Sequence, residues 1–485
     1  MTTHIQNAWK NVSFTPAKYV KAKDVPHVKA IVDDAKAKGQ KVKVVGGGHS
    51  MNHIFRTDGI LVDLSELNLL LSANPVSGVV KVEAGLTLGA AIEACKKQGL
   101  HFPSLGSWHS QSIAGAIATS THGSSLKHGS LSDIVIEVQA VLANGSVRRF
   151  SGTSDEARAM RCHLGQLGII TKVKLQLVPA FSLRCKICTQ PAPDAFQEIL
   201  KTADSEDYVN MLWIPDIDVA CTRVLTRYPP CDPNDEAIAL ERKFVNKSTL
   251  CHRIVDVFFF LYGHFYLAWP KLFSRRYSGR VKKAFCDDHG VIDTSYRVFL
   301  YDQYREPTEN HYLRMIMNVE YAFAVEQLVP LLKKLRTELE AFRKRGDYLN
   351  YPRVHVRFAK KSDATLIGLN TDRDTAYVGI YVVASIRHQS QIGIAEAIEQ
   401  IFVDFEGRPH WGKYSYLQPQ SFSSTYTNLA QFETVRNQID KNRMFSDGKN
   451  MFQDLNKFPR GPTCGALLRG VFDPKEYPRT PPPSR

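Results

Sequence analysis

Three consecutive glycines, Gly46 to Gly48, come directly after an alternating stretch at 41–45 and are followed by His49 and Ser50. The alternation predicts a β-strand that runs into a tight turn. A turn without Cβ atoms can take positive φ angles and bring its N–H groups against an anion, as phosphate-binding loops do. Such a loop is also typical of a purely structural turn, so other segments must support a binding role.

Two further segments are unusual in composition. Residues 106–125 are crowded with Gly, Ala, Ser and Thr. Packed cores are built from large aliphatic side chains, so this composition predicts that a long, flat ligand fills the adjacent space. Near the C-terminus, His410, Trp411 and Lys413 lie within four residues.

Five motifs in a fixed order carry a resemblance to the sugar-1,4-lactone oxidases of the vanillyl-alcohol-oxidase-type flavoproteins. They are the G-G-G-H-S loop, the Ser-rich segment that ends in Thr-His-Gly at 121–123, the stretch at 165–170, Val-x-Val-Arg at 354–357, and H-W-x-K at 410–413. The resemblance implies an α+β fold with a PCMH-type FAD-binding domain at 8–180. It also implies a cap domain for the substrate at 181–475, made of an antiparallel sheet and helices, whose H-W-x-K segment returns to the flavin.

The resemblance also implies how FAD is held. In these enzymes the histidine of the glycine-rich loop bonds covalently to the flavin ring, and that residue is His49 here. A neutral imidazole nitrogen is nucleophilic near neutral pH. Ile170 would meet the adenine side through its backbone. The remaining expected cofactor contacts are Val45, Gly46, Gly47, Gly48, Ser50, Gly106, Ser107, Ser112, Gly115, Thr119, Ser120, Thr121 and His122.

The expected catalytic residues are Arg357, Lys413, His355 and His410. A fixed cation beside the flavin stabilises negative charge on the reduced cofactor, and a second cation polarises the substrate oxygen. Arg357 and Lys413 match these positions. Relatives commonly have Glu where this chain has His355, which could accept a proton in its place. His410 has two interpretations, a catalytic residue or a support for its neighbours.

The resemblance therefore implies an FAD-dependent oxidase of L-gulono-, L-galactono- or D-arabinono-1,4-lactone that yields ascorbate or an analogue and hydrogen peroxide. Gly106 precedes Ser107 in the Ser-rich segment, here called the second loop. In the plant dehydrogenases of this family an alanine at the position of Gly106 blocks dioxygen, so a glycine predicts an oxidase. The alternatives are an alditol or sugar oxidase, a lactone dehydrogenase with another electron acceptor, and a non-catalytic membrane-binding flavoprotein.

The formal net charge of +14 favours an anionic partner. The basic residues are scattered and form no recognisable nucleic-acid module, so we expect no nucleic-acid partner. Nine cysteines do not form a disulfide framework by their spacing, which predicts thiols in a reducing compartment. Cys185 and Cys188 have C-x-x-C spacing without a second pair, so no metal site is expected.

Residues 254–273 are rich in aromatic side chains and have basic flanks. Asp256, Gly263 and His264 interrupt the apolar run and disfavour a membrane span. Two interpretations remain: a helix lying on a membrane surface, or a buried cap helix. Because the first ten residues have no apolar core, we expect no secretory signal and an intracellular protein, either membrane-associated (mitochondrial or endoplasmic reticulum) or in a reducing organelle.

Periodicity also predicts individual elements. Strands are expected at 60–64, 79–82 and 375–386, and helices at 87–97 and 322–335. A β-hairpin is expected from 134 to 150, with Asn144 and Gly145 in its turn.

Overall fold

The computed structural model describes residues 3–9, 11–229, 275–276, 278–279, 282, 292–299, 316–349, 353–383, 388–415 and 424–446. Its α-helices in these ranges are α1 Val25–Ala37, α2 Leu88–Lys96, α3 Ile113–Ala118, α4 Asp155–Arg161, α5 Ala192–Ser205, α6 Ser295–Phe299, α7 Leu328–Arg345, α8 His388–Asp404 and α9 Leu429–Ile439. Its strands are β1 Ile5–Gln6, β2 Ser13–Phe14, β3 Lys18–Lys21, β4 Val42–Val45, β5 Ile60–Asp63, β6 Leu70–Ala73, β7 Val79–Glu83, β8 Leu100–His101, β9 Val135–Val141, β10 Val147–Ser151, β11 Ile169–Gln176, β12 Val178–Pro179, β13 Ser182–Pro191, β14 Tyr208–Ile214, β15 Val219–Tyr228, β16 Ile292–Thr294, β17 Ile316–Ala324, β18 Val354–Ala359, β19 Thr375–Val383 and β20 Arg408–Pro409.

The first part of the chain contains two main sheets. Strands β3, β5 and β4 form a parallel sheet in that order. Strands β10, β9, β11, β7 and β6 form an antiparallel sheet. The predicted strands at 60–64 and 79–82 are confirmed, and so is the hairpin, where Gly145 has φ +85°. The predicted helix at 87–97 is α2, with Thr87 as its N-cap.

From Ser182 onward the strands join one antiparallel sheet in the order β16-β13-β15-β14-β18-β19-β17-β20. Helix α5 packs on β13, β14 and β15, and α8 packs on β17 and β19. Helix α7 contacts both α5 and α8. The expected antiparallel sheet with helices is therefore confirmed in the described residues.

The opposite face of this sheet carries a row of polar positions. Glu320 on β17 and His355 on β18 both pair with Gly379 on the strand between them. Arg357 on β18 pairs with Tyr377 on β19, two residues along each strand from the His355–Gly379 pair. Paired residues and residues two positions apart share one face of a sheet, so these side chains lie on the same side.

The C-terminal part of the chain returns to the first sheets. The Met51 N–H donates to the Gly412 carbonyl at 2.9 Å, and Asn52 Nδ2 donates to the Trp411 carbonyl at 2.6 Å. Further along, the Val42 N–H at the start of β4 donates to the Met444 carbonyl at 2.9 Å. The first two bonds fix the 410–413 segment beside the glycine-rich loop.

Two expectations need correction. The helix predicted to begin at 322 is wrong for its first residues, because Ala322 pairs with Tyr377 in β17 and the α-helix begins at Leu328. The expectation of thiols alone is wrong for Cys221, which is disulfide-bonded. Cys185 and Cys188 lie on β13, and neither of them is in a disulfide bond. The segment at 254–273 lies outside the described residues.

Candidate active site

A cavity lies between the first sheets and the polar face of the eight-stranded sheet. Nearly all of the site residues expected from the sequence line it. They are Val45, Gly46, Gly47, Gly48, His49, Ser50, Gly106, Ser107, Ser112, Gly115, Thr119, Thr121, His122, Ile170, Arg357, His410 and Lys413. Segments more than 350 residues apart in the sequence thus line one cavity.

The glycine-rich loop has no room for side chains. A Cβ added to Gly46 would lie 1.8 Å from Ser112 Oγ, and one added to Gly47 would lie 2.5 Å from the Ser110 carbonyl oxygen. Gly48 has φ +64°, a conformation that favours glycine. Ser112 itself accepts a bond from the Gly115 N–H at 3.2 Å as the N-cap of α3. The two loops therefore pack closely, with the Ser112 side chain against Gly46 and the Ser110 backbone against Gly47.

His49 is held at one end of this loop. Its Nε2 lies 2.8 Å from Ser110 Oγ, and its carbonyl accepts from Trp9 Nε1 at 2.7 Å. Burial, together with the positive charges of Lys413 and His109, lowers the pKa of His49 to about 4. The ring is neutral at pH 7, and Nδ1 is buried without a hydrogen-bond partner among the described residues.

Glu320, which lines the cavity, is buried with 4% exposure. Its Oε1 accepts from His122 Nε2 at 2.8 Å, and its Oε2 lies 3.8 Å from Lys413 Nζ. Burial alone would raise the pKa of this carboxyl, but Lys413, His122 and His410 outweigh it and hold the pKa well below its usual value. The site therefore contains a fixed carboxylate.

His122 joins this carboxylate to the backbone. Its Nδ1 lies 2.9 Å from the Gly123 carbonyl oxygen, and its ring stacks on Tyr377 with centroids 3.4 Å apart. Both of its ring nitrogens thus face acceptors. The ring can donate to both acceptors only when each nitrogen carries a hydrogen.

Two cations stand on the cavity wall beside the carboxylate. Burial lowers the pKa of Lys413, Glu320 opposes that shift, and Arg357 adds to it. Arg357 Nη2 donates to Ser107 Oγ at 3.2 Å, which ties the sheet to the second loop. A carboxylate that faces an ammonium and lies near a guanidinium leaves net positive charge at this end of the cavity.

His410 has a supporting position. Its ring Nδ1 accepts from the Gly412 N–H at 3.0 Å, and its backbone N–H donates to the Glu320 carbonyl at 2.9 Å. Burial lowers the pKa of His410 to about 3, so the ring is neutral. These contacts favour the interpretation that His410 shapes the turn that presents Lys413.

Two expected site residues do not line the cavity. Ser120 has φ +56° and is fully buried, and its Oγ accepts from the Leu369 N–H at 3.4 Å. That geometry does not support Ser120 as a cofactor contact. His355 shares a sheet face with Arg357 but packs edge-on against Tyr381, with ring centroids 5.0 Å apart. Its catalytic role stays a prediction.

Sequence reasoning missed several lining residues, including Glu320, Lys43, Gln111 and His163. Lys43 lies on β4 two residues before Val45 and is only 2% exposed. Alternation along 41–45 could have placed Lys43 and Val45 on one face. Glu320 had a weaker signal, because Asn318 is the only other polar residue between Ile316 and Ala324.

The lining fits a dinucleotide cofactor. Glycine backbone at one wall can approach a pyrophosphate closely, and Lys43, Arg357 and Lys413 provide positive charge. The partnerless nitrogen of His49 marks a place where a ligand atom completes the site. Among the described residues, no group of three or more His, Cys, Asp or Glu side chains could hold a metal ion.

Comparisons with known proteins give the same assignment. Residues 16–151 match the family model described as an FAD binding domain. Residues 173–453 match the model described as D-arabinono-1,4-lactone oxidase. The L-gulonolactone oxidase of Mus musculus is 28% identical over 91% of this chain and 96% of its own length. The L-gulono-1,4-lactone dehydrogenase of Mycobacterium tuberculosis strain H37Rv is 28% identical over 89% and 94%.

Solved structures confirm the fold. Cholesterol oxidase from B. sterolicum matches with a TM-score of 0.75 and 17% identity, over 95% of this chain and 97% of that chain. Chitooligosaccharide oxidase matches with a TM-score of 0.66 and 14% identity, over 93% and 97%.

The fold and the cavity define an FAD-dependent oxidoreductase with a PCMH-type flavin-binding fold. More narrowly, the chain belongs to the D-arabinono-1,4-lactone oxidase family, whose model covers more than half of its length.

Proposed function

We propose that this protein oxidises an aldono-1,4-lactone (L-gulono, L-galactono or D-arabinono) at the hydroxyl beside the carbonyl. The product is a keto-lactone that tautomerises to ascorbate or an analogue, and dioxygen is reduced to hydrogen peroxide. The observation that carries the proposal is the grouping of Arg357, Lys413 and Glu320 beside Ser107 at one end of the flavin cavity. The names of the curated relatives and of the family model support the substrate class.

The charged residues have separate roles in this proposal. When bound, the flavin accepts a hydride from the substrate carbon and later passes the electrons on. Arg357 is expected to bind the substrate oxygen and polarise its O–H bond, because its guanidinium is always charged and already oriented by Ser107. Lys413 places an ammonium where negative charge develops, and Glu320 keeps that ammonium protonated despite its burial.

His49 is proposed as the covalent flavin ligand. Nε2–H can be donated to Ser110, which leaves the lone pair on Nδ1 available for the bond. The neutral ring required for this step follows from its lowered pKa. Acid precipitation of the wild type should give a yellow pellet, and His49→Ala should release its flavin to the supernatant. A pellet of His49→Ala that stays yellow contradicts the tether.

Dioxygen as the acceptor is proposed from Gly106. A Cβ at this position would lie 3.1 Å from the His122 carbonyl oxygen and 3.3 Å from Thr121 Cγ2, both on the flavin cavity wall. Gly106→Ala should lower the rate of flavin reoxidation by dioxygen about tenfold or more while turnover with an artificial acceptor changes little. Equal losses with both acceptors would indicate general damage and contradict the role in dioxygen access.

We further propose that the protein is intracellular and binds anionic membrane surfaces through 254–273. The aromatic and basic composition of this segment and the charge of +14 support this proposal. None of the described helices is long and apolar enough to cross a membrane. Co-sedimentation with phosphatidylserine vesicles should fall when Lys271, Arg275 and Arg276 are changed to Gln. Equal vesicle binding by the wild type and the Gln variant contradicts the proposed membrane contact.

The visible spectrum of the purified protein tests the main proposal. The protein is mixed without air with a panel of aldono-1,4-lactones and then exposed to air. Bleaching of the flavin band followed by recovery, with hydrogen peroxide formed, supports a lactone oxidase. Bleaching without recovery indicates a dehydrogenase, and bleaching by alditols alone indicates the polyol oxidase.

A further inference from the structure

Two residues of the cavity wall have a buried side-chain nitrogen without a hydrogen-bond partner among the described residues. One is His49 Nδ1, already proposed as the flavin ligand, and the other is His163 Nε2. Buried polar atoms of this kind are rare in native proteins, and one that lines a ligand cavity is explained by a ligand atom. His163 Nε2 therefore has a hydrogen bond left to make that none of the described residues provides.

The turn that holds His163 is rigid. It follows α4, and both Leu164 and Gly165 have positive φ angles, +53° and +70°. The Leu164 N–H donates to the Ala118 carbonyl at the end of α3. Gln166 Oε1 accepts from the fully buried Arg436 at 2.8 Å. These bonds hold the turn with His163 beside α3, the helix that follows the second loop.

Local hydrogen bonding sets the tautomer of the ring. His163 Nδ1 accepts from the Gly165 N–H at 3.1 Å, so the hydrogen of a neutral ring must be on Nε2. Burial lowers the pKa of His163 to about 4, which keeps the ring neutral at pH 7. The atom that lacks a partner is consequently a donor, and its ligand partner must be an acceptor.

We propose that His163 Nε2–H donates a hydrogen bond to an acceptor atom of the bound flavin dinucleotide. Pyrophosphate oxygens, sugar hydroxyls and adenine nitrogens are the acceptors that this cofactor offers. A neutral donor recognises any of them without adding charge to a cavity where Lys43, Arg357 and Lys413 already provide positive charge. The proposal depends on the flavin site alone and not on which substrate is oxidised.

The test measures flavin affinity and not turnover. In a His49→Ala background the flavin can be removed by dialysis against bromide, and the dissociation constant for FAD is measured by quenching of flavin fluorescence. His163→Leu should raise that constant about tenfold, the usual effect of losing one hydrogen bond. His163→Gln, which keeps both an amide donor and an acceptor, should bind FAD within about threefold of the parent. An unchanged constant in the folded His163→Leu protein overturns the proposal.

Two controls separate binding from folding. His101→Leu removes another buried histidine, one whose Nδ1 pairs with Ser295 Oγ at 2.8 Å and which does not line the cavity. It should leave the FAD constant unchanged, and thermal melts without flavin identify any variant that fails to fold. Repeating the titration with FMN locates the acceptor: a loss seen with both flavins places it in the FMN half, and a loss seen with FAD alone places it in the AMP half.

Discussion

Glu320 determines the electrostatics of the active site at the scale of single residues. Its side chain lies close to Gly379 on the neighbouring strand, where an added Cβ would lie 3.4 Å from Glu320 Cγ. The absent side chain at 379 therefore lets Glu320 lie across the strand toward the cavity. Its partners His122 and Lys413 come from different parts of the chain, so the carboxylate holds the second loop and the C-terminal segment together.

The Glu320→Gln change removes this charge but keeps the size of the side chain. Lys413 then loses the carboxylate that supports its ammonium, so its pKa falls further below the ordinary value. We expect the alkaline limb of the kcat profile to move to lower pH and kcat at pH 8 to fall at least tenfold. Stopped-flow reduction across pH 6–10 measures both effects.

Glu399→Gln is the matched control for this change. Glu399 is also buried and accepts from Tyr321 Oη at 2.7 Å, but it does not line the cavity. This variant should keep the wild-type pH profile. A Glu320→Gln profile that coincides with that of Glu399→Gln would contradict the role given to Glu320.

The glycine-rich loop and α3 act together at the scale of elements. The Ser112 side chain occupies the position where a Gly46 side chain would be, and it also caps α3. Gly46→Ala must displace that cap, which is worth about 1 kcal/mol, and the loop that faces the cofactor moves with it. We expect lower flavin content per protein and a lower melting temperature, measured by absorbance and by calorimetry.

Gly393→Ala is the control for Gly46→Ala. Gly393 lies inside α8, and a Cβ there meets nothing within 4 Å. Alanine should raise stability by about 0.5–1 kcal/mol because it favours the helix, and the flavin content should not change. A Gly46→Ala protein with full flavin content would contradict the close packing of the two loops.

The sequence predicts elements well where one face is polar. Alternation identifies β7, whose residues are half-buried and buried in turn, and the hairpin, whose second strand is mostly exposed. It also identifies β4, because Lys41 and Lys43 alternate with valines, although neither face of that strand is exposed. It fails at β17, where Val319 and Tyr321 on one face and Glu320 and Ala322 on the other are all buried. Periodicity cannot distinguish such a run from a buried helix. The same failure concealed Glu320.

Side-chain direction limits the prediction of the site in the same way. Motifs placed Thr119 and Thr121 on the cavity correctly, but Ser120 between them turns toward Leu369 because of its left-handed backbone. His355 shares the face of Arg357, yet its ring pairs with Tyr381 outside the lining. A sequence motif specifies which segment approaches the cofactor, whereas backbone angles and register decide which side chains do.

At the scale of the whole molecule, Asn52 connects the glycine-rich loop to the C-terminal segment. It is 4% exposed, and its Nδ2 donates to the carbonyls of Trp411 and Lys413 at 2.6 and 3.2 Å. Asn52→Leu removes this donor from both carbonyls, at a cost of about 1–3 kcal/mol. We expect flavin to remain bound and kcat to fall several-fold as Lys413 loses its fixed position.

Asn68→Ala is the control, because Asn68 is exposed and its side chain bonds only to the Ser65 carbonyl among the described residues. Both variants are compared by urea unfolding and by turnover. Equal turnover in the Asn52→Leu protein and the wild type would show that the connection does not position Lys413.

The buried neutral histidines make the stability of the whole protein depend on pH. His163 has a pKa lowered to about 4, and His410 to about 3, against an ordinary value of 6.5 in the unfolded chain. The unfolded state therefore binds more protons, so stability is complete above pH 6.5 and is lost as the pH falls toward 4. Each histidine contributes a slope of at most about 1.4 kcal/mol per pH unit in this window. Asp133 and Asp440, whose pKa burial raises, act in the opposite direction as the pH falls. We expect the urea midpoint to fall between pH 6.5 and 5, and to fall less steeply in His163→Gln, because glutamine does not titrate. Parallel midpoint curves for the two proteins would mean that His163 is not buried as a neutral ring.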